Sequence, residues 1–111
     1  MTLQQLLDDQ FKVKTRANEN PVVAAIGLTE IQVLANNPNR LAWILINLSA
    51  NTIYLALSRG VGATRGITVT GNGGIASMMW NEDFQMTGYE VFGIATGAAS
   101  AIYVLEVVTA E

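Results

Sequence analysis

The chain has 111 residues, of which half are apolar and 14% charged, with a formal net charge of −3 and neither cysteine nor histidine. Roughly a quarter of the residues in an average soluble domain are charged, so this one domain has more apolar surface than it has charge to solubilise it, which points to an oligomer or a face covered by a partner. The two missing residue types exclude thiolate and zinc–sulfur chemistry and remove the commonest general base and metal ligand, and the negative charge argues against binding that depends on nucleic-acid phosphates.

The first stretch differs from the rest. Thr2-Leu3-Gln4-Gln5 has the form of a capping box, a hydroxyl at the N-cap with Gln three residues on. Leu3, Leu6, Leu7 and Phe11 follow at helical spacing, which predicts a short amphipathic helix or an arm ordered by a partner over residues 2–12. No basic segment leads into an apolar one there, so no secretory signal is expected. Residues 14–21 are polar and read as a linker ending at Pro21, dividing an arm and linker (1–20) from a β-sandwich domain (21–111).

From Pro21 onward the pattern has period two. Strands are expected at Thr29–Ala35, with Ile31, Val33 and Ala35 on one face, then at Leu41–Asn47 and Thr52–Ser58, joined as a hairpin through Ser49-Ala50-Asn51. After the glycine-rich loop Arg59–Gly66, strands at Ile67–Thr70 and Ile75–Trp80 flank Gly71-Asn72-Gly73-Gly74, whose Asn-Gly pair favours the positive φ angles of a hairpin turn. Tyr89–Ala95 and Ala101–Thr109 complete about seven strands. The fold expected is all-β, an antiparallel β-sandwich or jelly-roll-like barrel with a short N-terminal helix or arm. The longest purely apolar run, Leu41–Ile46, is far short of the roughly 20 residues of a spanning helix, so no membrane is expected.

Two strands are apolar on both faces. Leu41, Trp43 and Leu45 oppose Ala42, Ile44 and Ile46; Tyr103, Leu105 and Val107 oppose Ile102, Val104 and Val108, with Glu106 the only charge. Strands of this kind need cover on both sides. Leu3, Leu6, Leu7, Phe11, Ile44, Ile46, Tyr103 and Leu105 are therefore the candidate interface residues. All six basic residues (Lys12, Lys14, Arg16, Arg40, Arg59, Arg65) precede position 66 and only acidic ones follow, a distribution suited to complementarity between neighbouring subunits.

Catalytic, cofactor and metal sites are not expected. Glu82-Asp83 lacks calcium-loop spacing and reads as a solvated turn, and Gly71–Gly74 leads into a strand rather than a phosphate-loop helix. Ser58-Arg59-Gly60 with Arg65 is a possible holder for a partner's anionic side chain, and Met78, Met79, Trp80, Phe84 and Met86 a possible contact patch. As a sugar- or protein-binding module, the alternative reading, the chain offers Trp43, Tyr54, Trp80, Tyr89 and Tyr103 as stacking platforms.

Residues 39–58 (Asn-Arg-Leu-Ala-Trp-Ile-Leu-Ile-Asn-Leu-Ser-Ala-Asn-Thr-Ile-Tyr-Leu-Ala-Leu-Ser), with Gly66-Ile67, the Gly71–Gly74 turn and Ala101-Ile102-Tyr103-Val104-Leu105-Glu106, resemble small virion structural proteins of tailed bacteriophages. The likeness spans about residues 39–107 and lies in strand-and-turn patterns. It implies a non-enzymatic capsid decoration (cement) or head-fibre protein, made in the host cytoplasm and carried on the virion surface. The partners it implies are copies of the chain in a homo-oligomer, a trimer, and the major capsid protein or another virion protein; it implies no nucleic acid, membrane or cofactor.

Overall fold

The computed structural model describes residues 2, 5, 14–20, 25–62 and 64–110. Nine strands lie among them: β1 (Lys14–Glu19), β2 (Ala25–Ile26), β3 (Ile31–Leu34), β4 (Arg40–Asn47), β5 (Ile53–Ala56), β6 (Ile67–Val69), β7 (Ile75–Met79), β8 (Val91–Ala95) and β9 (Ser100–Ala110). One helical turn, α1 (Trp80–Asp83), runs into a 3-10 segment, Phe84–Gly88, between β7 and β8. The strands form two antiparallel sheets, one ordered β1-β9-β4-β7 with β2 also on β9, the other β3-β8-β5-β6. β1 and β2 occupy successive stretches of the same edge of β9.

Of the connections from β2 onward, β5 to β6 stays within one sheet and every other one crosses the sandwich. With β1 and β2 counted as one edge position this is the eight-position jelly roll, a double-sheet antiparallel architecture. The all-β sandwich expected from the sequence is therefore the fold.

Three local expectations are corrected. Residues 14–19, read as linker, are strand β1, because polar residues suffice on an edge whose backbone pairs with β9 from Lys14↔Ala110 to Glu19↔Leu105. The two expected hairpins do not form: β4 and β5 belong to opposite sheets, as do β6 and β7. The positive φ angles at Asn72 (59°) and Gly73 (101°) do occur, in a turn that arches between the sheets. Alternation over 29–35 is broken by a bulge in β3, so adjacent Val33 and Leu34 are both buried.

The side chain that bends these arches is Asn47, fully buried at the end of β4. Its Nδ2 donates to the carbonyls of Asn51 (2.7 Å), Val69 (3.2 Å) and Thr70 (3.1 Å), while Oδ1 accepts from Ser49 N (3.0 Å) and Ser49 Oγ (2.7 Å). One amide thus ties the β4–β5 arch to the β6–β7 arch, supplying partners that a buried turn backbone must find. Gly71 fits against that junction because a Cβ there would lie 2.6 Å from the Ala50 carbonyl oxygen.

The core between the sheets is Ile26, Val33, Leu34, Trp43, Leu45, Ile53, Leu55, Val69, Val91, Ile102 and Val104. One ion pair lies within it. A register shift between Arg40 and Ala42 turns Arg40 to the same inner face as Trp43. There Arg40 Nε meets Glu106 Oε2 at 2.6 Å, with both side chains almost wholly buried, and Asn18 Nδ2 on β1 donates to Glu106 Oε1 at 3.3 Å. Arg40 is thus consumed inside the subunit and is not available for the inter-subunit complementarity expected of the basic residues.

Removing one partner of a buried pair strands the other charge, at a typical cost of about 3–5 kcal/mol. Glu106→Leu should therefore lower unfolding free energy by about that amount in urea titrations, whereas Asn18→Ala should cost less than about 1.5 kcal/mol. Equal losses for the two variants would mean the ion pair does not hold this part of the core.

Candidate functional site

Two surface features stand out. The first is the outer face of the β1-β9-β4-β7 sheet. Side chains alternate across a strand, so each inward-facing core residue of β4 and β9 leaves its neighbour pointing outward. Ile44 pairs with Leu105 and Ile46 with Tyr103 across the central β4–β9 ladder, and all four are half-buried. β7 extends this face with Ile75 opposite Ile46 and Met79 opposite Ala42, respectively 60% and 47% exposed, and β1 adds Ala17 opposite Val107. The structure thus gathers Ile44, Ile46, Tyr103 and Leu105 into one apolar patch. Leu3, Leu6, Leu7 and Phe11 lie outside the described residues; of their segment, Thr2 and Gln5 make the two reciprocal bonds of a capping box, Thr2 N to Gln5 Oε1 (2.7 Å) and Gln5 N to Thr2 Oγ1 (3.2 Å).

On the outer face of the other sheet, a loop covers the outward ring of β8. Phe92 points outward from β8 yet is 1% exposed, with the Arg59 guanidinium 4.7 Å from its ring centroid. Glu30 Oε1 accepts from Gly60 N (2.6 Å) and Val61 N (2.9 Å), and Arg65 donates to the Arg59 carbonyl (2.8 Å) and to Ser58 Oγ. The arginine loop considered as an anion holder is therefore folded back on itself. The Val61 and Gly60 amides and the nearby Arg59 and Arg65 hold the Glu30 carboxyl below its usual range, so its contribution to stability is present at neutral pH and lost as pH falls through that lowered value.

The second feature is a cleft of about 630 Å³ at the end of the sandwich, between the β3–β4 loop and the α1/3-10 connection, lined among others by Asn36, Pro38, Arg40, Trp80, Gln85 and Tyr89. Arg40 sets its floor. Nη2 donates to the Ala35 carbonyl (2.7 Å) and Nη1 to those of Tyr89 (3.2 Å) and Thr87 (3.4 Å), so the guanidinium fastens both walls to the ion pair beneath them. The walls also join directly, Asn37 N to the Gly88 carbonyl at 2.8 Å; Gly88 permits this, since a Cβ there would lie 2.7 Å from the Asn37 carbonyl oxygen.

Trp80 and Tyr89 are 47% and 43% exposed. Of the other aromatics weighed as platforms, Trp43 is core, Tyr54 is half-buried on β5 and Tyr103 belongs to the outer sheet face. The methionine group divides as well, Met78 in the core and Met79 and Met86 exposed. Asp83 caps the turn, its Oδ2 accepting from Met79 N at 2.8 Å. The cleft had a partial signal in sequence, an aromatic pair on either side of a polar turn; the part played by Asn36 and Gln85 had none.

No family model and no curated protein matches the sequence. Among solved structures, the chain is similar to one described as Bacillus endospore appendages, a novel family of disulfide-linked pili, with a TM-score of 0.50, 16% identity and coverage of 89% of this chain and 91% of that one. The likeness is one of fold. At that identity it places the strands and carries no residue across.

Tyr103 OH donates to Glu19 Oε2 at 3.1 Å, and this bond to a carboxylate, with some desolvation, raises the phenol's pKa above its ordinary value of 10.0. A raised pKa means that the contribution is present below the unfolded value and lost as pH rises through the folded one. Glu19→Gln should move the Tyr103 transition down toward the ordinary phenol range, read from its ring-carbon NMR shifts between pH 8 and 12; an unmoved transition would show that Glu19 does not hold the phenol.

Proposed function

We propose that this chain is a structural protein, one subunit of a larger protein assembly, which works by packing against copies of itself rather than by catalysis. The observation that carries the reading is the largely apolar outer face of the β1-β9-β4-β7 sheet, which brings together Ile44, Ile46, Tyr103, Leu105 and exposed Ile75 and Met79. The opposite sheet shields its outward Phe92 with Arg59, whereas this one presents several large apolar groups to whatever lies above it. Such a patch favours association between proteins. The absence of cysteine excludes from these residues the disulfide linkage named for the pili of similar fold.

The assembly we favour is a tailed-phage virion, with the chain as a capsid decoration protein forming a homo-oligomer, a trimer, on the major capsid protein. The support is the likeness of residues 39–58 and 101–106 to virion structural proteins. A second reading is a filament, favoured by the fold shared with the endospore pili. The two differ in symmetry: a decoration oligomer closes on itself, while a filament repeats one heterologous contact without closure.

Light scattering on the purified chain should give a mass several times that of the 11.9 kDa monomer. Leu105→Glu or Ile44→Asp should shift it to monomer while leaving the far-ultraviolet spectrum of the β-sandwich intact. A wild type that stays monomeric at high micromolar concentration would sink the assembly reading. Discrete particles that co-sediment with capsids would support the virion placement, and open fibres in electron micrographs the filament.

A further inference from the structure

We propose that the cleft between Trp80 and Tyr89 binds a neutral saccharide. Four observations converge there. Two aromatic rings nearly half exposed line one concavity, and such rings offer flat apolar platforms to the C–H face of a pyranose. The Asn36 and Gln85 amides line the same concavity, and neither side chain is engaged in a hydrogen bond with another described residue. Each amide has both donors and an acceptor, the combination that a ring of hydroxyls, themselves donors and acceptors, requires. The volume of about 630 Å³ is within the usual size of small-molecule sites, which pair an apolar lining with a few convergent polar groups.

The fourth observation concerns charge. Arg40, the cationic group of this lining, has its guanidinium directed to Glu106 and to three backbone carbonyls, and it is 5% exposed. Its charge is compensated within the core and four of its five N–H donors are engaged there, so it does not recruit an acidic sugar. A neutral ligand is what remains matched to rings and amides together. The Arg40 staple also fixes both walls in advance of binding, which lowers the ordering cost for a ligand.

This site is separate from the outer sheet face on which the assembly reading rests, and the two can fail independently. The test is titration of the full chain, followed by tryptophan emission and calorimetry, with maltohexaose, cellohexaose and chitohexaose as neutral probes and trigalacturonate as the acidic one. Trp43 is buried, so a change in emission on binding reports Trp80. At least one neutral probe should bind saturably, Trp80→Ala should weaken it at least tenfold, and Tyr89→Ala and Gln85→Ala should weaken it severalfold with melting temperatures near wild type. The proposal is overturned if no neutral probe binds, if binding survives Trp80→Ala in a folded variant, or if trigalacturonate binds as well as the neutral probes. It is overturned equally if a peptide of residues 1–12 occupies the cleft while no saccharide does, since that makes the cleft a protein contact.

Discussion

The buried pair Arg40–Glu106 is the constraint from which much of this molecule follows. A charge pair inside a jelly roll is held at a desolvation cost that only good geometry offsets, and here the geometry enlists five separate parts of the chain. Glu106 is the sole charge of β9 and sits between Val104 and Val108 on the inward face. Arg40 reaches it through the register shift at the start of β4, Asn18 braces it from β1, and the remaining guanidinium donors hold the Ala35, Thr87 and Tyr89 carbonyls. One interaction therefore docks the edge strand, orders two loops and shapes the cleft between them.

At the opposite end of β4, Asn47 plays the corresponding part with a neutral group. It satisfies three carbonyls in two arches that would otherwise turn over the core with unpaired backbone. The strand is therefore anchored by a polar side chain at each end, with Trp43 and Leu45 buried between them. This arrangement explains why β4 is so apolar in its middle on both faces and polar only at its limits. Inward residues form the core, outward ones the exposed sheet face, and the ends specify which layer each neighbouring segment joins.

The two sheets treat their outer faces differently, and the proposed assembly rests on that difference. The β3-β8-β5-β6 sheet covers Phe92 with a loop organised by Glu30, Arg59 and Arg65, an arrangement complete within the subunit. The β1-β9-β4-β7 sheet presents Ile75, Met79 and the Ile44–Leu105 and Ile46–Tyr103 pairs. The proposed assembly rests on that second face, and the cleft at the end of the sandwich, lined among others by Asn36, Arg40, Trp80, Gln85 and Tyr89, is a different surface.

Local pattern was enough to locate strands β3 to β9, because period-two alternation and the glycine and asparagine turns are written in neighbouring residues. Alternation also put Ile44 with Ile46, and Tyr103 with Leu105, on common strand faces, while the outward direction of those faces and their pairing came from the register of β4 on β9. The absence of cysteine and histidine narrowed the chemistry without reference to any fold. Sheet membership was beyond it. A five-residue connection such as Leu48–Thr52 serves a hairpin or an arch equally well, and the choice depends on β4 meeting β9 some sixty positions away. Strand β1 was hidden for the same reason, its polar residues being held by the edge of β9 rather than by their own pattern. Arg40 and Glu106 looked like surface charge and an isolated exception; only the packed sandwich, by excluding water from both, made them partners.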